Sequence, residues 1–461
     1  MNDKKIYNSI VKIITSNVVM DTFIPYNIKD QTKSIGAGFF IDNKGHILTA
    51  AHVVKNTVDI WINIPQFGKT IFRGEITCVY PNFDLALIKI KDKTPQSFLE
   101  LGDSDNLHLG DKVYTLGYPK GSEYPMRTSG TLSGRRNDYI QADVPLNPGN
   151  SGGPVISVDD KVIGVSSAVL TDSENSSLII PIERFKNVKD IMISSEHPII
   201  YKNVIGVLFA NMNDNYKNIY ADSHNFNGGV IIKKILDKSP LQSIADEGDI
   251  MLSINDYDID YYGEINVESE QGKVPVSYIA SKAKPLGFVK IKFYSILSKK
   301  IKTIDKVELK PYNELYPIRQ IFTHIEVIEF EVFAGIIVMN LNLDHILEKY
   351  SYLTYLITNE QIYKPFIIIT HIFNNSEIAE FGNLSEGVII KSVNNIQVKT
   401  VKEYREALRE HINHNGKKYI TIETLNNDKV VINLDDILKS EENRIEQYKY
   451  EPSSTYLHYK N

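Results

Sequence analysis

The 461-residue chain has one cysteine, Cys78, which excludes an intramolecular disulfide and with it the redox-stapled scaffolds of small secreted domains. Cys78 stands in the strand-like run Ile76 to Tyr80, where a buried, inert thiol is expected. No long basic block occurs and the net charge is -6, so the electrostatic footprint of a nucleic-acid binder is missing. The longest apolar run, Val332 to Met339, falls far short of the roughly 20 residues a spanning helix needs, and no membrane partner is expected. At the N-terminus Asn8, Lys12 and Asn17 interrupt the apolar stretch, which reads as mature protein without a secretory leader and gives an intracellular, cytoplasmic or nuclear expectation. What is present is ordinary: 42% hydrophobic and 23% charged residues, enough for a folded chain of about three domains.

Up to about residue 170 the chain is a series of short β-branched and aromatic runs separated by Gly, Pro, Asn and Asp. Gly36 to Asp42, Ile47 to Thr49, Val58 to Ile64, Leu85 to Ile90 and Val113 to Leu116 predict strands of an all-β barrel or sandwich. The first helical periodicity comes after Pro181, where Phe185, Val188, Ile191 and Met192 recur at three- and four-residue steps and predict a helix over 182–193. Beyond residue 200 strands and short helices mix, and the chain repeats itself at an offset of 139 residues. Glu247-Gly248 is echoed by Glu386-Gly387, Ile250 by Ile389, Ser253-Ile254-Asn255 by Ser392-Val393-Asn394, and Ile259 by Val398. The polar, Tyr-rich stretch from Glu441 to Asn461 predicts a short helix and a mobile tail.

Three segments place a reactive residue in a context that fits one mechanism: Leu48 to Val54 around His52, Asp84 to Ile88, and Asn147 to Pro154 around Ser151. Acyl transfer by a serine needs a base to take the hydroxyl proton and a carboxylate to fix the base's tautomer. Ser151, His52 and Asp84 supply these groups, in that order of roles. The glycines around Ser151 permit a sharp turn that aims backbone amides at a developing oxyanion, and Gly149, Asn150 and Ser151 are the residues of that loop, with the Gly149 and Ser151 amides as donors. His46 has no role in this scheme and is assigned to the surface.

The sequence resembles the chymotrypsin-like serine peptidases, and more closely their HtrA/Deg branch. The resemblance rests on GNSGGP at the serine, TAAHVV at the histidine, DLALI at the aspartate, and the order His52, Asp84, Ser151. Gly117 to Gly121, Ser129 to Ser133, Lys161 to Val165 and Leu178 to Pro181 resemble further segments of that branch. It implies a mainly β fold, a chymotrypsin-like double β-barrel followed by two α+β PDZ-type domains, most like plant Deg peptidases with two such modules. The expected domains are residues 1–197 (peptidase), 198–313 (first PDZ-type), 314–440 (second PDZ-type) and 441–461 (tail).

The resemblance also implies ATP-independent cleavage of unfolded or exposed polypeptide, as in protein quality control, without cofactor or metal. By the family's pattern Leu146, Val169 and Leu170 wall the S1 pocket, and the position where tryptic enzymes carry an acid is Pro145, so cleavage after Val, Ile, Leu or Ala is expected. Asp143 would overturn this if it pointed into the pocket. Val204, Ile205, Gly206 and Val207 resemble a loop that caps a peptide C-terminus, while the second module's Phe333 to Ile336 departs from that pattern and suggests a role in assembly. Homo-oligomers built from trimers are implied, with Phe23 and Tyr26 as packing residues. The alternative reading is a peptide-binding holdase or scaffold with latent proteolysis.

Overall fold

Runs such as Leu85 to Ile90 are apolar on both faces, so they must lie in a sheet that is covered on each side. In the computed structural model, which describes all residues except 1–2, 92–94, 137, 170–176, 195, 222–225, 271, 359 and 461, they do so by closing barrels. The first barrel joins β1 (Ile10–Met20), β2 (Ile28–Phe40), β3 (His46–Ala50), β4 (Thr57–Asn63), β5 (Ile71–Tyr80) and β6 (Leu85–Ile90) in the order β1-β2-β3-β6-β5-β4. The second joins β7 (Lys112–Gly117), β8 (Met126–Arg136), β9 (Tyr139–Ala142), β10 (Pro154–Ser157), β11 (Val162–Val169) and β12 (Ser177–Pro181) in the order β10-β11-β12-β9-β8-β7. One core runs through both, with Phe39, Leu48, Leu85, Leu87, Leu116, Ile156, Val165 and Ile180 almost completely buried. Each such side chain stabilises the fold by roughly 1.5–3 kcal/mol.

The helix expected over 182–193 is two short ones, Ile182–Lys186 and Lys189–Ser194, and Phe185, Val188 and Met192 still face the core. Cys78 is buried, and burial pushes its thiol up to about 12. His46 is not on the surface: it is 2% exposed, and its Nδ1 meets Asp42 Oδ2 at 2.6 Å. Asp42 lies in the turn just before this strand, and its other carboxylate oxygen accepts from the His46 amide at 3.2 Å, so the buried residue has a polar partner for both groups.

The chain divides into two compact units, Met1–Asn17 with Thr32–Leu315, and Val18–Gln31 with Tyr316–Asn461. In the first unit the barrels are followed by a module with the sheet order Val207–Ala210, Val230–Ile235, Ile250–Ile254, Phe288–Ser295, Lys300–Glu308. In the second unit the corresponding strands start from Phe330–Phe333, Ile336–Asn340, Ile367–Ile372 and Ile389–Val393. The repeat is structural as well as textual. Strands Ile250–Ile254 and Ile389–Val393 each end in two left-handed residues, Asn255-Asp256 (φ 46° and 67°) and Asn394-Asn395 (φ 49° and 65°), and return through Tyr257–Asp258 and Ile396–Gln397. Asn and Asp tolerate that conformation, which a two-residue hairpin turn requires.

The second unit departs from the sequence reading in two places. The tip of the β1–β2 hairpin belongs to it: Phe23 lies 5.4 Å from Tyr350, Tyr26 lies 5.6 Å from Tyr450, and the Thr22 carbonyl accepts from Nε2 of the fully buried His345 at 3.0 Å. Phe23 and Tyr26, expected as contacts between copies, are half-buried against the chain's own second unit. The C-terminal stretch is no loose tail either, since helices Leu434–Tyr448 and Ser454–Lys460 bury Glu441, Arg444, Tyr450 and Tyr456. Its polar residues satisfy one another, with Arg444 on Glu441 at 2.9 Å and the Tyr450 hydroxyl on Glu441 at 2.8 Å, which lets charged groups pack like a core.

Candidate active site

Asp84 reaches its place by a local device. The one-turn helix Pro81–Phe83 ends on Asp84 in the left-handed region (φ 52°, ψ 40°), and β6 starts at the next residue. This orientation brings the carboxylate beneath the turn Ala51–Val53, which follows β3 and carries His52. Asp84 Oδ1 accepts from the His52 backbone amide at 2.8 Å and Oδ2 meets His52 Nδ1 at 2.8 Å. A carboxylate offers only acceptors, so Nδ1 carries the hydrogen and Nε2 presents a lone pair. Burial works against charge on the imidazole, but the hydrogen bond to Asp84 and its negative charge outweigh it, and the His52 pKa lies above its ordinary 6.5.

Ser151 lies in the loop between β9 and β10. Its carbonyl accepts from Ala37 N at 2.9 Å, its hydroxyl donates to the Ser167 carbonyl at 3.0 Å, and among the described residues no hydrogen bond joins it directly to His52. Gly149 has φ 98° and a Cβ there would strike the Tyr118 carbonyl, so only glycine fits. The loop is braced from Gly117 to Gly121: Tyr118 N donates to the Gly149 carbonyl at 3.0 Å and Lys120 N to that of Pro148 at 2.7 Å. The Asn150 amide donates to the Asn147 carbonyl at 2.9 Å, so it is not available to an oxyanion, and the Gly149 and Ser151 amides are left as the pair of candidates.

Sequence reasoning missed two residues on β11. Ser167 donates from Oγ to Asp84 Oδ2 at 2.5 Å, and Ser166, fully buried, donates to the carbonyls of Asn150 and Gly153 at 2.6 and 3.0 Å. One serine of the pair steadies the acid and its neighbour steadies the serine loop. Two adjacent hydroxyls inside the otherwise apolar run Val162 to Val169 were the available signal, because a buried polar side chain needs a specific partner.

Of the pocket residues, Leu146 packs against the core of the second barrel, Val169 pairs through its backbone with Ser177, and Leu170 lies outside the described residues. Asp143 is engaged elsewhere, its carboxylate accepting from the amide and the hydroxyl of Thr131. In the first module Val204 pairs with Lys310, Ile205 is buried with its carbonyl accepting from Ser239 Oγ at 3.1 Å, Gly206 has φ 75°, and Val207 opens a strand at the sheet's edge. In the second module the turn Ala334-Gly335 instead connects Phe330–Phe333 to Ile336–Asn340, so that edge is already paired by the chain itself.

Known proteins similar to this chain include proteases of the expected family. Residues 36–165 match the trypsin-like peptidase domain family. The chain is 26% identical over 419 residues to the putative mitochondrial protease Do-like 12 of Arabidopsis thaliana, covering 88% of this chain and 79% of that one. It is 31% identical over 249 residues to a probable periplasmic serine endoprotease DegP-like of Marinomonas, covering 51% of each. The chain thus spans about half the length of that bacterial relative. The mitochondrial and periplasmic names differ from the cytoplasmic or nuclear expectation. Among the described residues no helix is long and apolar enough to cross a membrane. The HtrA-type protease AlgW with tripeptide has the same fold over 67% of this chain and 96% of its own, at 21% identity and a TM-score of 0.51. Residues 36–165 thus match a trypsin-like peptidase domain, and the chain is similar to serine proteases of the HtrA/Deg type.

Proposed function

We propose that the chain is an ATP-independent serine endopeptidase that cuts unfolded or exposed polypeptide segments through an acyl-enzyme on Ser151. The observation that carries this reading is the bonded chain from His52 through Asp84 to Ser167, whose carbonyl holds the Ser151 hydroxyl. Ser151 Oγ attacks the scissile carbonyl carbon, its proton passes to His52 Nε2, and the carbonyl oxygen becomes the anion received by the Gly149 and Ser151 amides. His52 then gives that proton to the leaving amine, and water releases the acyl group by the same route in reverse. The Asp84 carboxylate, bonded to Nδ1, stabilises the imidazolium.

By the family's pattern the S1 pocket is apolar, with Leu146 among its residues, and favours a small aliphatic residue before the cut. The loop Val204 to Val207, beside the unpaired edge of Val207–Ala210, receives a peptide C-terminus by strand addition. On this reading the chain assembles into trimer-based homo-oligomers and takes unfolded proteins as substrates. The holdase reading gains nothing from relatives that carry protease names. Incubating the chain and its Ser151→Ala variant with casein, and mapping the ends by mass spectrometry, tests the proposal: cuts that persist in the variant would dismiss Ser151 as nucleophile.

A further inference from the structure

The turn that carries Asp84 is gripped from outside the site. Phe83, the residue before Asp84, is 1% exposed and meets Tyr80 edge to face on one side, the ring centroids 4.9 Å apart. From another side it meets the guanidinium of Arg184, 4.5 Å above its ring. Arg184 is 4% exposed, pairs with Asp138, and keeps one guanidinium nitrogen, Nη1, buried without a hydrogen-bond partner among the described residues. A buried cation with an unsatisfied donor is costly, and cheaper residues would fill the same space. Its other contact explains the placement: the same guanidinium lies 5.5 Å from the ring of Tyr278, on the helix Ser277–Lys282 of the first C-terminal module. Tyr278 in turn bonds Glu270, which also faces Lys282 at 3.5 Å.

The segment leading into that module holds the same turn by its backbone. Val79 N donates to the Pro198 carbonyl at 2.9 Å, Ile200 N to the Val79 carbonyl at 2.9 Å, and Lys202 N to Asn82 Oδ1 at 3.0 Å. Asp84 needs such support, because its left-handed backbone is one that a residue with a Cβ holds only when its surroundings impose it.

We infer that Arg184 is a positioning residue for Asp84, a link through which the seating of the first module on the barrels sets the geometry of the carboxylate against His52. This rests on the protease reading above. It assigns the first module a second task besides peptide capture: a change at the helix Ser277–Lys282 is read at the acid of the triad, through Tyr278, Arg184 and Phe83.

The test uses the full chain and a fluorogenic peptide with Val before the scissile bond. Arg184→Met keeps the length and apolar contact of the side chain and removes the charged plane. The expected result is a fall in kcat on the order of 10- to 100-fold with KM within about twofold, since small displacements of a catalytic group have effects of this size. The kcat/KM profile should also shift to a lower midpoint, because a displaced Asp84 no longer holds the imidazolium, which a merely structural loss of folded protein would not produce. Tyr278→Leu should give the same shift from the module's side, and should add nothing in the Arg184→Met background; it carries the test if Arg184→Met does not fold. An unchanged midpoint with additive losses would overturn the link while leaving the protease intact. Activity insensitive to Ser151→Ala would overturn the protease reading and the link together.

Discussion

Ser167 Oγ and His52 Nδ1 share one oxygen of Asp84, at 2.5 and 2.8 Å. The carboxylate is thereby held from β11 of the second barrel as well as from the His52 turn of the first, and its third bond, to the His52 amide, fixes the remaining oxygen. Ser167→Ala removes one of these three bonds without moving the backbone. It is expected to lower kcat roughly tenfold with little change in KM, as measured on a peptide substrate; an equal rise in KM would assign Ser167 to substrate binding instead.

The pH dependence has a definite sign. His52 must be neutral at Nε2 to accept a proton, and Asp84 lifts its pKa above 6.5 despite burial. Activity is therefore expected to be full well above that value and to fall as pH drops through a midpoint higher than 6.5. A kcat/KM profile with its acid limb below 6.5 would contradict the pairing seen here.

Gly149→Ala is expected to reduce kcat about 100- to 1000-fold with the melting temperature little altered. The reason is local: a methyl group there collides with the Tyr118 carbonyl and forces the loop to abandon φ 98°. Retained turnover would mean that the Gly149 amide is not an oxyanion donor.

The engagement of Asp143 with Thr131 leaves no acid in this segment to pair with a basic side chain. Peptides with Val before the scissile bond should be cut faster than the same peptides with Arg, on the order of tenfold or more, since an unpaired cation resists burial in an apolar pocket. Asp143→Ala should leave that order unchanged. Faster cleavage after Arg would refute the pocket.

His345 carries a stability prediction for the second unit. It is fully buried, its Nε2 donates to the Thr22 carbonyl, and burial lowers its pKa to about 4. An unfolded chain protonates near pH 6.5, so the folded form binds fewer protons between those values and loses stability as pH falls from 6.5 to 4, by about 3 kcal/mol in all, with no further loss from this group below 4. Denaturant melts of the chain and of His345→Gln at pH 7 and pH 4.5 check this; the same slope in both would exclude His345 as its source.

The candidate residues His52, Asp84 and Ser151 were legible because each sits in a short contiguous motif whose neighbours are needed for the local turn, and the structure joins the first two by hydrogen bonds; the offset of 139 residues returns as equivalent strands and equivalent left-handed Asn turns. Residues whose significance depends on a distant partner were not legible. Ser167 is an ordinary strand residue until β11 is laid beside Asp84, and Arg184 is an ordinary helix residue until Phe83 and Tyr278 arrive on either side of it. His46 escaped because its partner, Asp42, looks like a turn residue. The C-terminal stretch misled because its composition is polar, whereas Glu441, Arg444 and Tyr450 satisfy one another and can be buried together.

The hairpin tip from Val18 to Gln31 complicates any attempt to dissect this protein by its sequence boundaries. A version ending at Leu315 would keep both barrels and the first module but orphan Phe23, Ile24 and Tyr26, whose apolar neighbours come later in the chain. Such a fragment would present a sticky knob to solvent, and its self-association or altered turnover would report that orphaned loop instead of any regulatory message from the missing module.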